Sequence, residues 1–192
     1  YKVQKYLREV YNSKMKWLVG IDEVGRGPLA GPLCVGMCVA PYSKKEIVWK
    51  VIKNARDSKK LKREEREFWS REAELLRLSG QLFFYTALVS NTEIDEKGMS
   101  LAIKKAIRIC FSEAQLNPNK SRVVLDGSLY APDEFQNQET IIRGDDKEPI
   151  ISLASIIAKV KRDNLMTKYA NKFPEYGFEK HMGYGTKEHI KA

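Results

Sequence analysis

The stretch WLVGIDEVGRGPLAGP, residues 17–32, decides how this chain folds. Its first five residues form an apolar run that is too short for a helix of usual length, so they predict a buried strand. Asp22 and Glu23 follow at the end of that strand, and adjacent side chains of an extended chain point to opposite faces. The glycines and prolines from Gly25 to Pro32 interrupt regular structure and let the backbone approach a ligand. A second apolar run, Leu33 to Ala40, predicts a return to the sheet.

Two interpretations fit this stretch. Carboxylates at a strand end beside a glycine-rich loop suit a site for hard cations and phosphates, because Mg²⁺ prefers oxygen ligands and keeps positions open for substrate. The alternative is a β-hairpin with an acidic, solvated tip, since Asp and Gly also favour turns for local reasons.

The same pattern returns twice downstream. An apolar strand from Arg122 ends in Asp126 before a glycine, and a further strand over Thr140–Arg143 precedes Gly144, Asp145 and Asp146. An isolated Asp-Gly is usually a turn. The repeated pattern favours a shared site over separate turns, because strand ends that meet at one edge of an α/β sheet gather their side chains into one crevice.

Helical patterns lie between and after the strands. Residues 62–79 predict a helix that ends at Gly80, a later helix follows Asn91–Asp95, and the small side chains of residues 151–163 predict a helix that packs closely on a sheet. The expected apolar side of the first is Phe68, Leu75, Leu76 and Leu78, and that of the second is Leu101, Ile103, Ala106, Ile107 and Cys110.

Composition narrows the class of protein. The chain has 192 residues and a formal net charge of +9, which favours a polyanionic partner. Its three cysteines cannot all pair with one another, and the two in the second strand have no nearby histidine, so buried thiols and a reducing, cytoplasmic setting are expected. No segment has the length of a membrane span or the apolar core of a signal peptide.

Residues 21–32, IDEVGRGPLAGP, closely resemble the signature of the type 2 ribonucleases H, the ribonuclease HII family. Residues 57–61, DSKKL, resemble another element of that family. Residues 144–163 resemble its GD…SAASIIAKVxRD block, with Leu153 where a small residue is usual. Residues 176–186 resemble its YGF…HKGYPT element, with Met182 and Gly185 in place of Lys and Pro.

The resemblance implies an α/β fold, a ribonuclease H-like mixed central sheet flanked by helices with a small C-terminal helical segment. It implies a catalytic, metal-binding set of Asp22, Glu23, Asp126 and Asp145, where register selects Asp145 and leaves Asp146 as the fallback. Four acids in one crevice raise each other's pKa, and two Mg²⁺ or Mn²⁺ ions about 4 Å apart would relieve that repulsion and promote phosphoryl displacement. We expect a single domain over residues 1–192, with the catalytic core in 1–164 and a substrate-contacting, C-terminally shortened segment in 165–192.

The implied substrate is the RNA strand of an RNA–DNA hybrid, or a single ribonucleotide embedded in duplex DNA and cut on its 5′ side. Gly25, Arg26 and Gly27 can reach the 2′-hydroxyl and its phosphate. In the family, the tyrosine that matches Tyr184 packs on the sugar of the adjoining deoxynucleotide. Ser58 and Lys59, at a predicted helix start, can contact the phosphate backbone. The products would be a 3′-hydroxyl and a 5′-phosphate, and we expect a monomer.

Three alternatives remain. Ribonuclease HIII is the nearest enzymatic one, less favoured because Arg26 fills the middle of the loop and no additional N-terminal DNA-binding domain is expected. A non-catalytic hybrid-binding module would gain nothing from acids that face phosphates. A metal phosphohydrolase acting on small molecules explains the acids but not the basic excess or the tyrosine element.

Overall fold

The computed structural model describes residues 15–52 and 61–192. Within these ranges, five strands form one sheet in the order β3-β2-β1-β4-β5. The strands are β1 (Trp17–Val24), β2 (Leu33–Pro41), β3 (Phe83–Val89), β4 (Ser121–Asp126) and β5 (Gln138–Ile141). β2 pairs antiparallel with both β1 and β3, whereas β4 pairs parallel with both β1 and β5. The predicted mixed sheet is confirmed.

Helices cover both faces of this sheet. They are α1 (Lys45–Ile52), α2 (Arg63–Leu78), α3 (Asn91–Lys97), α4 (Met99–Ala114), α5 (Gly144–Lys147), α6 (Pro149–Lys172), α7 (Phe178–His181) and α8 (Lys187–Lys191). The last two form the predicted small C-terminal helical segment. None of the helices in the described ranges combines the length and the hydrophobicity needed to cross a membrane.

β1 is longer than its apolar run predicts and carries both acids inside the strand. Asp22 pairs with Gly36 of β2, and Glu23 pairs with Val35. The hairpin of the alternative interpretation therefore exists, but its acidic tip is not solvated, because Asp22 is only 4% exposed. Pairing with β2 continues the strand because backbone hydrogen bonding does not depend on side-chain polarity.

Alternating residues of the central strands feed two separate cores. Val19 and Ile21 of β1 join the core beneath α4, whereas Leu18 joins the core beneath α6. Because successive side chains of a strand point to opposite faces, Asp22 belongs to the α6 side and Glu23 to the α4 side.

Two glycines let α6 lie directly on the sheet. A Cβ at Gly20 would lie 2.6 Å from the backbone carbon of Ile150, and one at Gly36 would overlap the carbonyl oxygen of Ala154. The start of α6 is buried on all sides, as expected of a helix enclosed by the protein. The predicted close packing of small residues is thus present. Leu153, where the family usually has a small residue, is fully buried in the same core.

The structure corrects the predicted faces of two helices. In α2, Phe68, Leu75 and Leu78 are 47%, 59% and 70% exposed. The helix instead packs through Trp69, Ala73 and Leu76, which have the i, i+4, i+7 spacing of one face.

In the second corrected helix, Leu101 of α4 is 56% exposed, so it does not belong to the buried stripe. The other four predicted stripe residues, Ile103, Ala106, Ile107 and Cys110, are buried. A short helix, α3, precedes α4 and is separated from it by Gly98, whose φ of 82° falls in the left-handed region.

Other element boundaries shift by a few residues. β5 ends at Ile141, two residues before the predicted end, because Arg143 adopts a left-handed conformation. α6 extends nine residues beyond the predicted helix and ends at Lys172. The three cysteines are free and buried, as predicted, and burial raises the pKa of Cys34 and Cys110 to about 12.

Replacing Gly36 with Ala tests the contact between α6 and β2. The added methyl would meet the backbone of Ala154, which cannot move without shifting the helix, so we expect a loss of about 1–3 kcal/mol in the free energy of unfolding. Chemical denaturation measures this loss. Gly27→Ala is the control, because its Cβ would meet only Tyr184, at 3.7 Å, and its stability should be nearly unchanged. Equal stability of both variants would contradict the close packing.

Candidate active site

The parallel pairing of β1 with β4 brings two acids together. Ile21 is the register partner of Leu125, so Asp22 and Asp126 are the next residues along at the carboxyl ends of neighbouring strands. Both also lie two positions beyond residues that face α6, Gly20 and Val124. Adjacent strand ends and a shared face therefore place the two carboxylates side by side.

Asp22 is held in a buried, electrostatically unfavourable position. Burial raises its pKa well above the usual value, while a hydrogen bond from Ser155 of α6 opposes the rise. The charges of Glu23 and Asp126 raise the pKa further. The Glu23 backbone N–H donates to Asp22 Oδ1 at 2.8 Å, which fixes the carboxylate's orientation.

Glu23 combines one paired and one unpaired oxygen. Arg26 Nη1 donates to Glu23 Oε1 at 3.3 Å, whereas the buried Oε2 has no hydrogen-bond partner. Burial raises the Glu23 pKa, the nearby Arg26 charge lowers it, and Asp126 raises it again. A buried, unpartnered carboxylate oxygen is costly, so its presence calls for a compensating charge or donor.

Asp126 connects the first two acids to the start of α5. The Gly144 N–H donates to Asp126 Oδ1 at 2.6 Å, so the backbone just before Asp145 contacts Asp126. Asp145 is only 5% exposed, while Asp146 is exposed. Burial therefore favours Asp145 over Asp146 as the site residue.

The chemistry of these side chains fits divalent cations. Carboxylate oxygens are the preferred ligands of Mg²⁺, and the unpartnered Glu23 Oε2 is available as one of them. In residues 15–52 and 61–192, no three His, Cys, Asp or Glu side chains form a ready-made ligand set. Mg²⁺ usually keeps several waters and completes its shell with substrate phosphate oxygens.

A buried arginine, Arg162 of α6, holds the glycine-rich loop. Its side chain is fully buried and donates to three carbonyl oxygens, those of Pro32, Met182 and Ala30, at 2.8, 2.8 and 3.0 Å. Gly25 has a φ of 103°, and a Cβ there would lie 2.7 Å from Arg162 Nε. The guanidinium thus ties the loop to the C-terminal segment.

The C-terminal segment presents Tyr184 beside this loop. The backbone N–H groups of Leu29 and Ala30 both donate to the Gly183 carbonyl oxygen, at 2.8 and 3.2 Å. This docking leaves the Tyr184 ring 3.7 Å from the position of a Cβ on Gly27. Tyr184 itself is 42% exposed, so its ring is available to a ligand.

Two histidines support the tyrosine turn. His181 Nδ1 accepts from the Gly183 N–H at 3.2 Å, so its Nε2–H donates to the Tyr176 carbonyl at 2.8 Å. His189 Nδ1 donates to the Tyr184 carbonyl at 2.8 Å, and the two imidazole rings stack with centroids 4.4 Å apart. Both histidines therefore have structural contacts.

Sequence reasoning missed the network on the later turns of α6. Lys159 Nζ lies 5.8 Å from the centroid of the Tyr184 ring and 2.7 Å from Asp163 Oδ1. Asp163 also lies 3.7 Å from Arg66 of α2. A signal for Arg162 was present in the sequence, because it falls four residues after Ala158 and four before Met166, on the buried face of the helix.

The structure therefore brings Asp22, Glu23 and Asp126 together at one edge of the sheet, and Asp145 follows Gly144, whose N–H contacts Asp126. Tyr184 lies beside Gly27 of the glycine-rich loop. The remaining predicted substrate contacts, Ser58 and Lys59, lie outside the described residues.

Comparison with known proteins gives one consistent family. The sequence model described as Ribonuclease HII matches residues 19–192. A Clostridium beijerinckii protein named ribonuclease HII is 38% identical over 201 residues, covering 99% of this chain and 71% of its own. A ribonuclease HII of Chlamydia abortus is 37% identical and covers 96% of this chain and 81% of its own.

A solved structure agrees with the sequence comparisons. Ribonuclease H2 from Pyrococcus horikoshii superposes with a TM-score of 0.71 at 28% identity, over 91% of this chain and 83% of that protein. The matched range, 19–192, contains all four acids, the glycine-rich loop and the tyrosine turn. The chain therefore belongs to the ribonuclease HII family and is a hydrolase of the type 2 ribonuclease H class.

Proposed function

We propose that this chain is an endonuclease that hydrolyses the RNA strand of RNA–DNA hybrids and cuts on the 5′ side of single ribonucleotides embedded in duplex DNA. The observation that carries the proposal is the convergence of buried carboxylates at one sheet edge with the loop Gly25–Gly27 and Tyr184 beside them. Family membership supports the same activity.

Asp22, Glu23, Asp126 and Asp145 are the residues that would hold the metal ions. When bound, two Mg²⁺ or Mn²⁺ ions supply an activated water and stabilise the departing oxygen of an in-line displacement. Ser155 and the Glu23 backbone N–H orient the Asp22 carboxylate, and the Gly144 N–H orients Asp126. The products are a 3′-hydroxyl and a 5′-phosphate.

Recognition of the sugar belongs to the loop and the tyrosine. Arg26 is half exposed and can approach a substrate phosphate, while backbone groups of Gly25 and Gly27 can reach the 2′-hydroxyl. Tyr184 would pack on the sugar of the next deoxynucleotide. Because Arg162 holds Ala30, Pro32 and Met182 together, both reading elements sit at a fixed separation. Ser58 and Lys59 are proposed backbone contacts.

The proposed role in the cell is removal of ribonucleotides from DNA and of RNA primers. A binding module without catalysis is less well supported, because a binder would bear the cost of the buried Asp22 carboxylate without benefit. The activity is tested by cleavage of a DNA duplex that contains one ribonucleotide, in Mg²⁺, in Mn²⁺ and in chelator. Cleavage that persists in chelator would refute the metal-dependent mechanism.

Replacing Asp126 or Asp145 with Asn should reduce cleavage by at least about 10²-fold, the loss typical of one preorganised electrostatic group. Duplex binding should stay equal or tighten, because a negative charge that faces phosphates is removed. Single-turnover cleavage and duplex titration measure the two effects. Asp146→Asn, at the exposed neighbouring position, is the matched control and should retain most activity. Wild-type activity of Asp126→Asn would refute its role as a ligand.

Replacing Asp22 with Asn should stabilise the metal-free protein. The folded-state pKa of Asp22 lies above its unfolded value of about 3.9, so ionisation removes stability as pH rises from that value through the folded pKa. The stability advantage of Asp22→Asn over the wild-type protein should increase across this pH range and then remain constant. Thermal unfolding in chelator at several pH values measures it, with about 2–4 °C per kcal/mol expected.

The same Asp22→Asn variant tests metal binding without an activity assay. Mg²⁺ or Mn²⁺ should raise the melting temperature of the wild-type protein, because it binds only the folded state, and should raise that of the variant much less. Equal stabilisation of both proteins by the metal would place the ions elsewhere.

Replacing Tyr184 with Ala should slow cleavage at single embedded ribonucleotides more than cleavage of long hybrids, since only the former depends on reading one RNA-to-DNA step. Tyr184→Phe keeps the ring and should remain close to wild type on both substrates. The ratio of kcat/KM on the two substrates is the measurement. Equal losses for Tyr184→Ala on both would count against a junction-reading role.

A further inference from the structure

An open groove follows α4 on the opposite side of the sheet from α6. Lys104 and Arg108 lie one helical turn apart on the exposed face of α4 and line this groove together with Ile107 and Tyr130. Tyr130 is 67% exposed, so an aromatic ring stands beside two cations. Cationic side chains can neutralise backbone phosphates, and an aromatic ring can pack on a base.

The end of the groove nearest the proposed active site adjoins a second cavity, with which it shares Lys104, Ile107 and Tyr130. Arg26 and Ser128 also line this second cavity. Arg26 is ion-paired with Glu23, and Ser128 is two residues beyond Asp126. A nucleic-acid strand lying in the groove would therefore extend outward from the carboxylate cluster. Asp133 also lines the groove and carries a negative charge.

The two cations that α4 contributes to the groove have no ion-pair partner among the described residues, whereas Arg26, at the end near the carboxylates, is paired with Glu23. Neither Lys104 nor Arg108 forms an ion pair in the described ranges, whereas the adjacent Lys105 lies 2.7 Å from Glu93. The positions three and four residues before Lys104 and after Arg108 are Leu101, Ser100, Phe111 and Ser112, which carry no charge. Like charges four residues apart on a helix repel each other, and no acid at these neighbouring positions offsets that repulsion.

We infer that this groove binds the phosphodiester backbone of the duplex flanking the cleavage position. The inference rests on the proposed function, because that function puts the nucleic acid at the near end of the groove. Lys104 and Arg108 each contact phosphate oxygens, and Tyr130 packs on a sugar or base. Such contacts carry no sequence information and set the register of the duplex on the enzyme.

Charge-reversal variants test the groove. Lys104→Glu combined with Arg108→Glu should weaken binding of a long duplex in chelator, where no cleavage occurs. Each lost phosphate contact lowers the slope of log affinity against log salt by about 0.9, so the double variant should lose about two units of slope. The wild-type advantage should therefore shrink by about tenfold between 50 and 200 mM salt.

Lys16→Glu combined with Lys120→Glu is the matched control. Both lysines are exposed at the amino ends of β1 and β4, the end of the sheet opposite to the acids, and the change in net charge is the same. This control should keep the wild-type salt slope apart from a small uniform loss. If charge reversal perturbs folding, Lys104→Gln combined with Arg108→Gln serves instead, because it removes the positive charges without adding negative ones. This variant should show a loss of salt slope as well.

Duplex length provides the second measurement. The rise in KM caused by the groove variants should diminish as the flank is shortened, with kcat nearly constant. Equal salt slopes for the groove and control variants would overturn the inference. A rise in KM that does not change with flank length would also overturn it, including the case in which the groove binds an acidic protein instead. Because binding is measured in chelator, a wild-type protein that binds duplex but does not cleave would refute the proposed function and not the groove.

Discussion

The contact between α6 and the sheet is the constraint on which the rest of the structure depends. Gly20 and Gly36 remove the side chains that would separate the helix from β1 and β2, so backbone meets backbone at Ile150 and Ala154. The next residue, Ser155, then reaches Asp22. Two turns later the same helix delivers Arg162 to the glycine-rich loop. One rigid element thus positions both the carboxylates and the loop that faces them.

This arrangement leaves unfavourable electrostatic interactions at the site. Burial and neighbouring negative charge both raise the pKa of Asp22, and Glu23 keeps a buried oxygen without a partner. Unfavourable electrostatics in the ligand-free protein become favourable when cations bind, because the same oxygens that repel each other attract the ions. The apolar surface buried in the two cores of the domain offsets this unfavourable electrostatic energy. Perturbed carboxylates in a cleft are a common mark of a functional site.

The C-terminal segment adds recognition to this chemistry. Arg162 has no exposed surface, and its charge is satisfied by three carbonyl oxygens from two distant parts of the chain. Lysine could not replace it, since only the planar guanidinium donates in several fixed directions at once. The left-handed conformation of Met182 and the histidine contacts hold the turn from which Tyr184 projects. The position of the tyrosine turn relative to the glycine-rich loop therefore depends on a side chain that is itself fully buried.

The sequence predicted the strands, because apolar runs that end in Asp and Gly are local signals, and the motif matches predicted the mixed sheet that the structure has. The same matches named the four acids, whose catalytic role stays a prediction. The sequence also separated Asp145 from Asp146 by register. Local patterns could not determine which helix faces are buried, so Leu75, Leu78 and Leu101 were wrongly assigned to a core.

The sequence also predicted a shared crevice for Asp22 and Asp126. That Ser155 orients Asp22, and that Arg162 joins the loop to the tyrosine turn, became apparent only in the folded structure. These contacts link residues that are not neighbours along the chain: Arg162 lies 130 positions from Pro32 and 20 positions from Met182. Burial and charge act over short distances in space, so these contacts depend on which residues lie close together in the folded protein. Patterns of neighbouring residues along the chain do not specify which distant residues those are.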